Sequence, residues 1–283
     1  MAKYGIPYMG SKDKIADDIL SVLPRGKRFV DLFGGGFAMS HAALLSGKYE
    51  QVFYNELNPL LPKLIKDTLA GKYANERRWI SREDFFRLKD VDGYVRCIWS
   101  FGNRGDAYLF GKDKEPIKKL GHDFVCFGKD IPGVPNIAET DMRVRRLYLQ
   151  RYIKKNTGEM YVLQELQQLQ RLQRLQRLEI NCGSYLDYQY RDGDIVYCDP
   201  PYEDTSKYDK DGFNHTQFYD WVASREYPVY FSSYEISDNR FNVVWQTEKK
   251  SLLDNSKETK KVVTEYLYCN KAENPFDYGP LFC

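Results

Sequence analysis

Short apolar segments rich in β-branched and aromatic residues alternate along the chain with longer segments of mixed polarity. The apolar segments predict buried β-strands, and the mixed segments between them predict helices. The strands are expected at residues 28–32, 51–54, 194–198 and 228–232, followed by an antiparallel pair at 242–246 and 262–269. This alternation is typical of an α/β fold with a mostly parallel sheet, and 283 residues leave room for a smaller second domain.

The first predicted strand ends at a run of glycines. Asp31 and Phe33 close the strand, three glycines follow at 34–36, and residues 37–46 predict a helix. Glycines let the backbone approach a ligand closely, and a helix start points unpaired N–H groups at it. Glu56 follows the second strand, where an acid suits ribose hydroxyls. The glycine run and Glu56 together predict a cofactor that contains a nucleotide-like part. NAD remains an alternative cofactor, but the glycine spacing differs from the G-x-G-x-x-G motif of NAD sites and therefore weakens it.

The predicted strand at 194–198 runs directly into Asp199, Pro200, Pro201 and Tyr202. Prolines cannot donate to a β-ladder, so the acid and the tyrosine emerge at the carboxyl edge, where open α/β sheets bind their ligands. The Asp199 carboxylate and the Pro200 carbonyl suit the two N–H donors of an exocyclic amino group, and the Tyr202 ring suits a flat base. A simple Pro-Pro turn would explain the prolines but not the flanking acid and tyrosine.

Two motifs carry a family resemblance. The segment from Asp199 to Tyr202 resembles the catalytic motif of amino-methyltransferases that act on DNA bases, and its leading aspartate resembles the adenine-N6 branch. The segment from Tyr8 to Lys12 resembles the aromatic-x-Gly-x-Lys opening of the Dam-like, alpha-group DNA adenine methyltransferases, and residues 182–185 loosely resemble the family segment that borders the cofactor adenine. The resemblance implies a class I, Rossmann-like methyltransferase fold with an inserted DNA-recognition domain.

The same resemblance implies a site and a reaction. S-adenosylmethionine is the implied cofactor, adenine N6 is the implied methyl acceptor, and no metal is expected. The base is inaccessible inside a duplex, so the enzyme is expected to flip it out of the stack. Asp199, Pro200 and Tyr202 are the implied catalytic residues. The implied cofactor-binding residues are Tyr8, Lys12, Asp31, Phe33, Gly34, Gly36, Glu56, Ser184, Tyr185 and Asp199.

The middle of the chain is its basic part. Residues 73–158 contain 18 Lys and Arg against 12 Asp and Glu, although the whole chain carries only +2. We interpret them as a target-recognition domain for double-stranded DNA, inserted into a catalytic domain of residues 1–72 and 179–283. Asn103 and Arg104 are expected to contact base edges, whereas Trp99 and Phe101 fit base contact and a domain core equally well. Phosphate contacts are expected from Lys112, Lys118 and Lys119, with Lys114 as a further candidate.

Two segments allow two interpretations each. Residues 159–178 connect the insert to the catalytic domain, with leucine at every third position from 163 to 178. Three residues turn an α-helix by about 300°, so these leucines would circle its axis instead of forming one stripe. The segment is either a linker buried on successive sides or a basic path along DNA phosphates that uses Arg171, Arg174 and Arg177. Residues 203–213 predict either a loop that closes over substrate or an ordinary solvated loop.

The remaining features narrow the class of protein. Six cysteines without a C-x-x-C pair do not suggest a zinc site or a disulfide scaffold. The sequence contains no apolar run of about 18 residues and no secretory signal, so a cytoplasmic enzyme is expected. Two alternatives remain, namely a cytosine-N4 or RNA methyltransferase of the same fold and a non-catalytic DNA-binding regulator. The sequence does not determine the recognition sequence or a restriction-modification partner.

Overall fold

The structure is a computed structural model that describes residues 3–157, 177–203, 212–250 and 262–271. Its framework is a seven-stranded sheet, built from β1 (Gly26–Asp31), β2 (Tyr49–Glu56), β3 (Leu178–Cys182), β4 (Asp194–Cys198), β5 (Val229–Ser233), β6 (Asn242–Lys250) and β7 (Val262–Cys269). The strand order is β3-β2-β1-β4-β5-β7-β6. The strands from β3 to β5 pair in parallel, and β7 is antiparallel to both β5 and β6. The predicted mostly parallel α/β sheet with a final antiparallel pair is confirmed.

Only one strand of this sheet was not predicted. β3 lies at the edge, pairs with β2 in parallel, and begins at Leu178, the last leucine of the repeat. Its residues are mostly exposed or half-buried, so the sequence lacks the continuous apolar run of a central strand. The rest of the repeat and its arginines Arg171 and Arg174 lie outside the described residues, as do residues 204–211 of the predicted loop.

One helix precedes the first strand, and the other described helices lie in the connections between strands. They are α1 (Ala16–Val22), α2 (Ala38–Ser46), α3 (Leu60–Leu69), α4 (Arg82–Leu88), α5 (Gly93–Ile98), α6 (Glu115–Phe127), α7 (Met142–Thr157) and α8 (His215–Ala223), with 3₁₀ turns at Phe101–Asn103 and Tyr185–Asp187. α2 begins one residue later than predicted because Phe37 has a φ of 69°. This left-handed conformation places Phe37 outside the helix and ends the glycine turn.

The chain divides into two compact units. The first contains Met1–Gly5, Gly10–Ile65 and Arg174–Cys283, and so includes the whole sheet. The second contains Ile6–Met9 and Lys66–Gln173, and includes α4 to α7. Within the second unit, Ser81 and Asp92 cap α4 and α5 by accepting hydrogen bonds from backbone N–H groups.

Both faces of the sheet in the first unit are covered. Along β4, Ile195 and Tyr197 pack with the side chains of α1 and α2, whereas Val196 and Cys198 pack with those of α8. All five residues of β4 are buried, as expected for a central parallel strand. Asp31 of β1 stands opposite Tyr197 in the parallel register. The loops that follow β1, β2 and β4 therefore leave the sheet at the same carboxyl edge.

Candidate active site

The turn after β4 is held by groups from two other elements. Pro200 is buried, and the Pro201 carbonyl accepts a hydrogen bond from His215 Nε2 at 2.9 Å, at the start of α8. The Tyr202 ring meets the Tyr234 ring edge-on, with centroids 4.7 Å apart. Asp199 and Tyr202 are therefore presented at the carboxyl edge of the sheet from a constrained turn.

Four polar side chains form what we call the Asp199 cluster: Lys12, Asp199, Tyr202 and Glu265. Lys12 Nζ lies 2.6 Å from Asp199 Oδ2 and 3.5 Å from Glu265 Oε1. The Tyr202 hydroxyl oxygen lies 3.1 Å from Asp199 Oδ1 and 3.0 Å from Glu265 Oε1. The Lys12 ammonium also lies 4.9 Å from the centre of the Tyr202 ring. Lys12 and Glu265 are only 5% and 2% exposed, so the cluster is an ion-pair network largely removed from water.

The charges within the Asp199 cluster depend on one another. Burial raises the pKa of Asp199, and the Lys12 ammonium offsets only part of that effect, so the pKa stays above its ordinary value. For Lys12, burial lowers the pKa, but the Asp199 and Glu265 carboxylates outweigh burial and raise it overall. Lys12 is therefore a cation at neutral pH, and Asp199 accepts a proton more readily than an ordinary aspartate.

Asp31 is a second buried acid at the same edge. It is 1% exposed, and its Oδ2 accepts a hydrogen bond from the Ser40 hydroxyl of α2 at 2.7 Å. Within the described part of the chain, no donor reaches its Oδ1. The pKa of Asp31 is raised to about 7, mainly by burial. The nearby Asp199 and Glu56 charges add to this rise, and the hydrogen bond from Ser40 offsets part of it. The acid thus holds an unsatisfied acceptor in a buried position.

The glycine turn after β1 is packed too closely for side chains. A Cβ on Gly34 would lie 2.1 Å from the Tyr54 ring of β2, well inside contact distance. The Gly34 N–H donates to the Asn55 carbonyl at 2.8 Å, and the Tyr54 hydroxyl donates to the Gly35 carbonyl at 2.8 Å. The turn is therefore fixed against the end of β2, and glycine is required at position 34.

Glu56 holds the other side of this turn. Its Oε2 accepts a hydrogen bond from the Gly35 N–H and its Oε1 accepts one from the Asn58 N–H, both at 2.9 Å. Burial raises the pKa of Glu56, and these backbone donors offset part of the effect. The Leu57 N–H also acts on this carboxylate, and because the two oxygens together have about four lone pairs, the carboxylate retains acceptor capacity for a ligand.

An aromatic group borders the glycine turn. Phe33 packs against Tyr185 and Phe218, with ring centroids 5.2 Å and 5.7 Å apart. Ser184 caps the 3₁₀ turn that carries Tyr185, since its hydroxyl accepts the Leu186 N–H at 3.2 Å. Three predicted cofactor residues, Phe33, Ser184 and Tyr185, are thereby placed close to one another.

A cavity of about 150 Å³ lies beside this region, and its lining includes Arg28, Asn55, Asn181 and Ser184. Of the predicted cofactor residues only Ser184 lines it. Arg28 is held there by two hydrogen bonds of 2.8 Å to the Asp194 carboxylate. The cavity thus does not contain the Asp199 cluster.

The second unit holds the predicted DNA-binding residues and Tyr8, which is half-buried. The Asn103 side chain donates to the Cys97 carbonyl at 2.8 Å, so its amide supports its own loop. Arg104 is half-buried, and its Nε has no hydrogen-bond partner among the described residues. Trp99 is core, at 1% exposed, whereas Phe101 is 66% exposed.

The predicted phosphate-binding lysines differ in their surroundings. Lys112 is exposed. Lys118 is half-buried near the Phe110 ring, and burial lowers its pKa. Lys119 is exposed and pairs with Asp123 at 3.2 Å. Lys112 therefore presents the most open cation of the three.

Sequence reasoning missed one member of the Asp199 cluster, Glu265, and did not anticipate the ion pair of another, Lys12. Glu265 was not predicted, since an isolated acid in a strand of alternating pattern reads as a solvent-facing residue. Lys12 was predicted to contact the cofactor, and that contact stays a prediction; its ammonium is observed on Asp199. No local signal links Lys12, Asp199 and Glu265, because the three are brought together only by the sheet.

The sheet order and the two turns at its carboxyl edge define a Rossmann-like methyltransferase fold. The sequence model of the D12 class N6 adenine-specific DNA methyltransferase family matches residues 8–101 and 141–269. Because the match covers most of the chain, the protein belongs to this family. The predicted family resemblance is confirmed, whereas the Dam-like, alpha-group assignment stays a prediction.

Other comparisons add little to this assignment. No curated protein sequence matches the chain significantly. Among solved structures, a Haemophilus influenzae protein described as a candidate methylase is similar at 11% identity and a TM-score of 0.34, over 93% of this chain and 91% of that chain.

Two kinds of feature are absent from the described residues. None of the helices in that part of the chain is long and apolar enough to cross a membrane. No group of three or more His, Cys, Asp or Glu side chains in the same part is arranged to hold a metal ion.

Proposed function

We propose that the protein transfers a methyl group from S-adenosylmethionine to N6 of an adenine flipped out of double-stranded DNA. The observation that supports this proposal is the constrained turn after β4, which brings Asp199, Pro200 and Tyr202 to the carboxyl edge of the sheet, where open α/β sheets bind their ligands. Membership in the adenine-specific family supports the same target.

The proposed chemistry begins with the amino group of the base. Its lone pair is delocalised into the ring, so the amine is a poor nucleophile. Hydrogen bonds from its two N–H groups to Asp199 and to the Pro200 carbonyl favour a more pyramidal nitrogen and stabilise the positive charge that develops on it. Tyr202 stacks on the ring of the extruded base, and these contacts hold the nitrogen in line with the methyl donor.

The residues around the glycine turn fit the proposed cofactor. S-adenosylmethionine supplies an activated methyl group on a positively charged sulfonium and also carries an amino group. The buried Oδ1 of Asp31, which no described residue reaches, suits a cationic or N–H donor. Gly34 lets the turn pack tightly against Tyr54 at this edge of the sheet, and Glu56 retains acceptor capacity for the ribose hydroxyls. We assign the aromatic group of Phe33 and Tyr185, together with Ser184, to the adenine side of the cofactor, and Lys12 and Gly36 to its methionine side.

We propose that the second unit recognises DNA. Its sequence is basic, and Lys112 offers an exposed cation for phosphate contact, with Lys118 and Lys119 beside it in sequence. We assign Arg104 to base contact from its place in the same loop as Asn103; its Nε is buried and has no partner among the described residues. Asn103 is less suited to that role while its amide is bonded to the Cys97 carbonyl. We also propose that the protein is located in the cytoplasm.

A direct assay tests the proposal. Purified protein, methyl-labelled S-adenosylmethionine and mixed-sequence duplex DNA should give N6-methyladenine, detected by mass spectrometry of the digested DNA. Asp199→Ala serves as the matched inactive control. Label on cytosine N4 or only on RNA would support the alternative enzymes of the same fold. DNA binding without any methyl transfer would support the non-catalytic regulator and contradict the proposal.

A further inference from the structure

The Asp199 cluster contains two carboxylates, Asp199 and Glu265, beside one hydroxyl group. Tyr202 has a single hydroxyl hydrogen, and an ionised carboxylate only accepts hydrogen bonds. Its oxygen lies 3.1 Å from Asp199 Oδ1 and 3.0 Å from Glu265 Oε1, so the hydrogen can serve one carboxylate at a time. One additional proton on either carboxyl group completes both hydrogen bonds. The geometry is therefore that of a carboxylate, phenol and carboxylate chain able to take up one proton.

The proposed reaction produces one proton at this place. As the methyl group bonds to the amine nitrogen, positive charge develops there, and one N–H proton must leave in the same step to give the neutral methylated amine. We propose that Asp199, Tyr202 and Glu265 form a relay that carries this proton from the base to the buried carboxylate of Glu265. The relay rests on the proposed function, since the methylated amine is its proton source.

The transfer balances in two steps. First, the N–H bond of the charged amine breaks, its electron pair stays on nitrogen, and the proton forms an O–H bond on Asp199. Second, the Asp199 proton passes to the Tyr202 oxygen while the Tyr202 proton passes to Glu265 Oε1. Asp199 is then a carboxylate again, Tyr202 has its hydroxyl again, and Glu265 is a neutral carboxyl group. Burial raises the pKa of Tyr202 well above its ordinary value, so the phenol passes the proton on without ionising.

Lys12 prepares the relay for this step. Its ammonium contacts both carboxylates, and this charge favours their ionised forms before the reaction begins. Glu265 lies on β7, is 2% exposed, and contacts both Tyr202 and Lys12, each of which contacts Asp199. We therefore assign Glu265 an indirect role, acting on the base through these side chains. Among the described residues, the other titratable groups coupled to the cluster are Asp31 on β1, Tyr197 and Cys198 on β4, and Tyr234 after β5.

Three variants test the relay. Tyr202→Phe keeps the ring but removes the hydroxyl, and Glu265→Gln keeps the shape but cannot take up the proton as a carboxylate does. In single-turnover assays of the full chain with DNA and S-adenosylmethionine, each should lower the methyl-transfer rate by about 10- to 100-fold, toward the lower range of acid–base catalysis. The double variant should be no slower than either single variant, because the two residues act as one unit. Tyr234→Phe, which loses a neighbouring hydroxyl outside the relay, is the matched control.

A pH profile separates the relay from a structural role. The Glu265 charge raises the pKa of Asp199, so Glu265→Gln should lower that pKa and shift the acid limb of the rate profile to lower pH. Cofactor affinity, measured by calorimetry, should stay within about twofold of wild type, a change of under about 0.5 kcal/mol. If Glu265→Gln fails to fold by circular dichroism, Tyr202→Phe decides the question alone, and a full rate in that variant overturns the relay.

The remaining outcomes are distinct. Full activity in Glu265→Gln overturns the relay, and so do losses that multiply in the double variant. In either case, an active wild type and an inactive Asp199→Ala still support the proposed function. A wild-type protein that methylates no DNA removes the proposed function and the relay together.

Discussion

Asp31 and Asp199 stand at the ends of two neighbouring parallel strands, β1 and β4, yet the two acids have different hydrogen-bond and ion-pair partners. Asp199 faces the Lys12 ammonium at 2.6 Å and the Tyr202 hydroxyl at 3.1 Å. Asp31 faces the Ser40 hydroxyl at 2.7 Å, and among the described residues no basic side chain pairs with it. Burial raises the pKa of both acids, but only for Asp199 does a cation oppose that rise.

The difference indicates when each acid acquires its charge. A buried charge is costly unless it is paired, and the cost amounts to several kcal/mol per ion. At Asp199 the chain itself supplies the cation, so the carboxylate is prepared before a base arrives. At Asp31 the chain leaves an unsatisfied oxygen, and a positively charged ligand group placed beside it would stabilise the ionised form. One acid is thus suited to the reacting base and the other to the proposed cationic cofactor.

The largest expected effect concerns Asp199. Asp199→Ala should lower methyl transfer by at least about 10³-fold, roughly 4 kcal/mol of transition-state stabilisation, because the acceptor for the reacting amine is lost. The variant should still fold, as measured by circular dichroism, because Lys12 keeps Glu265 as a carboxylate partner, and its cofactor affinity, measured by calorimetry, should change far less than its rate. A variant with near-normal turnover would contradict the assignment of the turn after β4 as the catalytic segment.

Asp31 should make the stability of the protein depend on pH. Its pKa rises to about 7 in the folded state, so the protonated acid is favoured there, and wild-type stability should fall as the pH rises from about 4 to about 7. The change is at most about 4 kcal/mol for a pKa shift of this size. Asp31→Asn should remove this decline in urea unfolding measured across that range, with the exposed Asp18→Asn as control. Parallel curves for wild type and Asp31→Asn would show that Asp31 is not the group responsible.

Replacing Lys12 should destabilise the folded protein, because the Lys12 ammonium stabilises the buried carboxylates around it. Lys12→Met leaves Asp199 and Glu265 buried without their cation, and breaking a buried pair costs about 3 kcal/mol or more. Urea unfolding should show this loss, which should be larger at pH 8 than at pH 5 because protonation relieves the uncompensated charge. Lys12→Arg, which keeps the charge, should retain more of the stability. A loss below about 1 kcal/mol, the range of exposed pairs, would contradict a buried network.

The smallest expected effect concerns Glu56. Glu56→Ala should weaken S-adenosylmethionine binding by about 1.5 to 3 kcal/mol, the usual range for a hydrogen bond to a charged group. Calorimetry measures the change, and Glu56→Gln, which keeps one acceptor oxygen, should lose less. Unchanged affinity would place the ribose acceptor elsewhere, and binding of NAD in place of S-adenosylmethionine would contradict the proposed cofactor.

The chain's local patterns predicted most of the sheet. Apolar runs identified six of the seven strands, and the missed strand, β3, is an exposed edge whose residues carry no such run. The glycine turn and the turn from Asp199 to Tyr202 were readable because their chemistry lies in consecutive residues. Trp99 and Phe101 show the limit of such reading, since two aromatics two residues apart differ completely in exposure.

The sequence by itself determined the α/β class, the two turns at the carboxyl edge and the family, because each depends on residues that are close together in the chain. Only the tertiary structure decided what surrounds Asp199. Lys12 precedes it by 187 positions and Glu265 follows Tyr202 by 63, and they meet because β7 pairs with β5, beside β4, and the N-terminal segment returns to the same edge. Burial then couples their charges, and burial is a property of the packed fold rather than of any segment.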